Sequence, residues 1–86
     1  MKYTQHTLDK LEELVKEIQY VVRFERGNFQ SGYCILEEKK VVVLNKFLQL
    51  EGRINTLMDI IPKLVPDREI LSPDSRKTFE QILAKA

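Results

Sequence analysis

Leu8, Leu11, Leu14, Val15 and Ile18 recur at steps of three and four, the spacing that lines one side of an α-helix with apolar side chains. A helix is predicted from Leu8 to Ile18, with Thr7 as its N-cap. Asp9, Glu12, Glu13, Lys16 and Glu17 occupy the remaining, solvated surface, where Glu12 and Lys16 have the i, i+4 order that favours an ion pair. The period then shortens to two. From Tyr20 to Arg26, Val22 and Phe24 fall on one side and Arg23 and Glu25 on the other, which predicts a first strand ending at Gly27-Asn28. Tyr33 to Glu37 and Val41 to Asn45 read as a second and a third strand. Only Glu38, Lys39 and Lys40 separate them, too few residues for a parallel crossover, so these two form an antiparallel hairpin.

Helical spacing returns with Leu50, Ile54, Leu57, Met58 and Ile61, in a helix that begins near Gln49. Pro62 lacks a backbone donor and crowds the carbonyl one turn back, so the helix is expected to end or kink there, leaving residues 62 to 71 as a connector. Ser72, Pro73 and Asp74 give an N-cap, a proline at the first helical position and an acid in the first turn of a third helix. Phe79, Ile82 and Leu83 form its short apolar side. The expected fold is a single small α+β domain over residues 1–86: a helix, a three-stranded antiparallel meander, then two helices.

The hairpin changes the picture. Tyr33 to Leu36 and Val41 to Leu44 are apolar on both faces, whereas a sheet wet on one side alternates. A second cover is needed, either the third helix or another copy of the chain. Tyr33, Ile35, Val41 and Val43 are the expected contact residues in the hairpin.

Composition narrows the chemistry. The net charge is +1, and positive and negative side chains are interleaved throughout, without the basic face that phosphate binding requires. Nucleic acid is not an expected partner. No run approaches the roughly 20 apolar residues of a membrane helix, and no basic start leads into an apolar leader, so a soluble cytoplasmic chain is expected. The single cysteine, Cys34, and the single histidine, His6, stand far apart in sequence and supply neither a zinc ligand set nor a nucleophile with its base. No calcium-loop pattern occurs, and Glu37 and Glu38 point to opposite sides of an extended chain. Gly27 and Gly32 precede no phosphate-loop lysine. No catalytic residue, metal or cofactor is expected.

The loop from Arg26 to Gly32 is the best recognition segment, because loops on a rigid scaffold carry binding residues. Arg23, Arg26, Asn28 and Phe29 are its candidates; Phe29 either plugs the edge of the core or presents a recognition side chain. The expected function is a non-enzymatic interaction or regulatory domain that self-associates through its sheet or binds another protein. The alternatives are a small-ligand or single-strand nucleic-acid module built on this loop, and an enzyme completed by groups from a partner.

The run Tyr20-Val21-Val22-Arg23-Phe24-Glu25-Arg26-Gly27-Asn28-Phe29, followed by Ser31-Gly32-Tyr33-Cys34-Ile35-Leu36, resembles a group of short uncharacterised bacterial proteins, over the first helix through Ile61. Val41-Val42-Val43-Leu44-Asn45 is similar to the strand that precedes the motif helix of ImmA/IrrE-type metallopeptidases. That family carries H-E-x-x-H on the helix, two zinc-binding histidines and a glutamate base. Asp59, Ile60 and Lys63 stand in the corresponding places here, so the resemblance implies at most a catalytically inactive relative.

Overall fold

The computed structural model describes residues 2–26 and 33–85. Over these residues the order is α1 (Gln5–Glu17), β1 (Val21–Glu25), β2 (Tyr33–Leu36), β3 (Val41–Asn45), α2 (Leu50–Leu64) and α3 (Pro73–Lys85). The expected α+β class and element order hold. The sheet does not follow the expected antiparallel meander: its strand order is β1-β3-β2, with β1 parallel to β3 and β2 antiparallel to β3.

The correction has a physical reason in the strands themselves. β3, Val-Val-Val-Leu-Asn, carries no charge, and its three middle residues are buried, so it is suited to a ladder on each side. β1 alternates, with Arg23 and Glu25 exposed, and suits an edge. Residues 26–32 join β1 to β2. A chain of seven residues reaches roughly 23 Å, well beyond the two strand spacings of about 10 Å that a step across β3 requires. Sequential strands need not be neighbours here, and the most apolar strand takes the centre.

Helix α1 starts one turn earlier than its apolar stripe suggests. Thr4, not Thr7, is the N-cap, and its side chain accepts the Thr7 N–H at 3.2 Å. His6 thus lies on the exposed surface of α1. At the other end Gln19 adopts a left-handed conformation (φ 69°), its N–H bonding the Lys16 carbonyl while the Tyr20 N–H bonds that of Val15. This pair of bonds is the usual way a helix stops and turns back. The β2–β3 hairpin is antiparallel as expected, with Leu36 opposite Val41, closed by a 3₁₀ turn at Glu37–Lys39 and by Lys40 at φ 52°.

Helix α2 runs through Pro62 to Leu64, two residues beyond the expected stop. A proline in the last turn forfeits a single intrahelical bond, and the Val65 N–H still reaches the Ile61 carbonyl at 3.1 Å. Helix α3 opens as expected, the Ser75 N–H donating to Ser72 Oγ at 3.3 Å.

One core forms between the helices and one face of the sheet. Leu8, Leu11, Leu14 and Val15 of α1 meet Ile54, Leu57, Ile60 and Ile61 of α2, with Phe79 and Ile82 of α3 and Val42 and Leu44 of β3. Val22, Phe24 and Ile35 pack against this cluster from the flanking strands. Helix α3 packs on α1 and α2, so the described helices cover one face of the sheet only. No described helix is long and apolar enough to cross a membrane.

Candidate functional site

Alternation along the strands sends the remaining residues to the opposite, outer face. Register builds that face in rows. Val21, Val41 and Leu36 are aligned at one end, then Arg23, Val43 and Cys34, then Glu25 and Asn45. Val21 is 56% exposed and Leu36 42% exposed, with Val41 half-buried between them. Val43, on the central strand, is buried, while Cys34 is half-buried and free. Arg23 Nε lies 3.4 Å from Glu25 Oε2, an exposed pair at the polar end of the face. An apolar end and a charged end therefore share one surface.

Three of the residues singled out in the sequence, Arg23, Val41 and Val43, come together here. Ile35 turns to the helices and packs on the core, and Tyr33 holds the register position opposite Leu44. Asn28 and Phe29, with the rest of Gly27 to Gly32, lie outside the described residues. Arg26 belongs to a second cluster. Its guanidinium lies 5.7 Å from the centre of the Phe47 ring, and the Lys46 ammonium lies 5.6 Å from the same ring.

That second cluster was not anticipated. Phe47 is 67% exposed in the turn between β3 and α2, where its N–H donates to Asn45 Oδ1 at 2.9 Å. The turn is held from behind by Arg53, which donates to the Leu48 carbonyl at 2.9 Å and the Lys46 carbonyl at 3.1 Å. The Arg53 guanidinium also stacks 4.3 Å from the Phe24 ring centre. Its bonds and stacking give Arg53 a structural task. The sequence signal for the cluster was the single aromatic beside a lysine at a strand-to-helix corner.

Two polar features complete the surface. A groove of about 370 Å³ runs between α1 and β1, lined by Asp9, Glu12, Glu13 and Lys16 on the helix side. Burial and the neighbouring Asp9 raise the Glu12 pKa, against the opposing pull of Arg53 and Lys16. At the start of α3, Glu17 accepts from the Ser72 N–H at 2.7 Å, from Ser72 Oγ at 3.0 Å and from Ser75 Oγ. Burial opposes the Glu17 charge, but these hydrogen bonds outweigh it and hold the carboxyl below its ordinary pKa.

On α2, where the metallopeptidase resemblance would place a zinc motif, Asp59 and Lys63 are exposed and Ile60 is fully buried. Among the described residues no three His, Cys, Asp or Glu side chains gather into a metal-holding group. No protein-family model, curated protein or solved structure gives a significant match to the chain.

Proposed function

We propose that this chain is a protein-interaction module that self-associates through the outer face of its sheet. The exposed row Val21, Val41 and Leu36 carries the reading, because side chains of this kind gain about 25 cal/mol per Å² of apolar area removed from water. A two-fold symmetric contact requires a self-complementary surface. Arg23 beside Glu25 supplies one, since rotation by a half-turn can set each arginine against the partner's glutamate. Two strands of five residues and one of four span only about 14 by 17 Å, well below the size of a standard specific interface. The association is accordingly weak, populated at high protein concentration.

Light scattering across a concentration series tests this. The mass is expected to rise from 10.1 kDa toward twice that value as concentration increases. Leu36→Lys, on the strand farthest from β1, is expected to weaken the association by about tenfold or more by placing a charge in the contact. A wild-type chain that stays at 10.1 kDa in the millimolar range overturns the proposal.

A second reading has its own observation, the exposed Phe47 ring flanked by Arg26 and Lys46. Single-stranded nucleic acid is bound by this combination, the ring stacking on a base for about 1–3 kcal/mol while cations meet phosphate. Under this reading an oligothymidylate binds at low salt, and Phe47→Ala weakens it by about tenfold or more in fluorescence anisotropy. No binding at low salt removes the reading.

A further inference from the structure

β1 is paired on one side only. Its Val21 N–H donates to the Lys40 carbonyl, and its Glu25 carbonyl accepts from the Lys46 N–H, so the odd-numbered residues turn their backbone groups toward β3. By the alternation of strand hydrogen bonding, the N–H and C=O groups of Val22 and Phe24 face the other way. Among the described residues no backbone group meets them there.

The groove between α1 and β1 lies along this free edge. Its helix side presents three carboxylates, Asp9, Glu12 and Glu13, and the cation Lys16, with Arg53 near enough to act on Glu12 as well, and its strand side presents Tyr20, Val21 and Val22. Gln5 Nε2 donates to Asp9 Oδ1 at 2.9 Å, a bond that leaves the charge of the carboxylate in place. A strand laid on the edge would alternate its side chains between the acidic flank of α1 and the outer face beside the exposed Val21. A second copy of this chain is a poor occupant, because it would bring an equally acidic flank against the first.

We infer that the free edge of β1 receives an extended, lysine-bearing segment of a partner protein as a fourth strand. The lysines meet Asp9, Glu12 and Glu13, the intervening apolar residues cover Val21, and the backbone pairs with Val22 and Phe24. This is strand addition, in which main-chain bonds give affinity and alternate side chains give specificity. It shares Val21 with the self-association proposed for the face, but it rests on the edge of the sheet and the acidic groove.

The probe is a capped hexapeptide of alternating lysine and valine, titrated into the full chain by fluorescence anisotropy, with the glutamate–valine peptide as control. The lysine peptide is expected to bind, the control to bind at least tenfold more weakly, and Glu13→Lys to weaken the lysine peptide by about tenfold. Amide exchange followed by NMR on the wild-type complex gives a readout that needs no variant: the Val22 and Phe24 amides are expected to slow on binding. Val22→Pro removes an edge donor without touching the ladder to β3, and circular dichroism checks that it folds. Failure of the folded wild-type chain to bind the lysine peptide overturns the inference. So does equal binding of both peptides, unchanged exchange at Val22 and Phe24, or protection of those two amides in the concentrated chain without peptide.

Discussion

Leu11→Ala is expected to lower the unfolding free energy by about 3–5 kcal/mol, in the upper part of the range for buried leucine truncations. Leu11 is fully buried on α1, the helix that packs on α2, α3 and β1 at once. Loss of the leucine side chain opens a cavity walled by several elements, and collapse around one wall would pull α1 from the others. At roughly 0.05–0.15 kcal/mol per residue, a chain of this size has a total stability of about 4–13 kcal/mol. The substitution therefore removes a large share of the total. Urea unfolding measures it, with Val21→Ala on the open face as a control expected to change stability by less than about 1 kcal/mol. Equal effects at the two positions would contradict the placement of the core.

Most of this core was legible in the sequence because helical spacing is a local signal. Leu8, Leu11, Leu14 and Val15 declared their side of α1 without reference to the rest of the chain, and Phe79 and Ile82 did the same for α3. Ile60 was missed, since a stripe read through Leu57 and Ile61 leaves its neighbour unassigned, yet it is fully buried. Strand order is not local. The β2–β3 hairpin followed from its short connection, but nothing within Tyr20 to Arg26 states that β1 runs beside β3 instead of β2. The information lay in a comparison between strands: β3 carries no charge and β1 carries two, which assigns the centre and the edge.

The candidate surface was legible by the same logic, and to the same extent. Apolar residues on both faces of the hairpin implied a second apolar face, and register places Val41, half-buried, Val43, buried, and Arg23 on it. Ile35 belongs to the opposite face by the period-two rule, which becomes usable only once the strand that faces the helices is known. The acidic groove escaped notice because it joins α1 to β1 across a reversal of the chain. Likewise Arg26, Lys46 and Phe47 meet only because β1 and β3 are parallel and end together.

The bond between Glu17 and the start of α3 is the clearest long-range polar link, and it makes stability depend on pH. Glu17 accepts from the Ser72 N–H and from both serine hydroxyls, while Ser72 Oγ itself accepts from the Ser75 N–H. A carboxylate at this place also suits the positive end of the helix dipole. Glu17→Gln, which offers one acceptor oxygen and no charge, is expected to cost about 1–2 kcal/mol at neutral pH. Because the folded-state pKa is lowered, the stabilisation is complete above the ordinary carboxylate value. As pH falls the unfolded chain takes up its proton first, and the stabilisation drains away until the folded carboxyl is protonated too. Glu12 contributes in the opposite sense: its pKa is raised in the fold, so acidification relieves a penalty there. The difference between wild type and Glu17→Gln cancels the Glu12 contribution and isolates the link. Measured by urea unfolding, that difference should shrink between neutral pH and pH of about 3; a difference that stays constant would remove the charge of Glu17 from the account of α3.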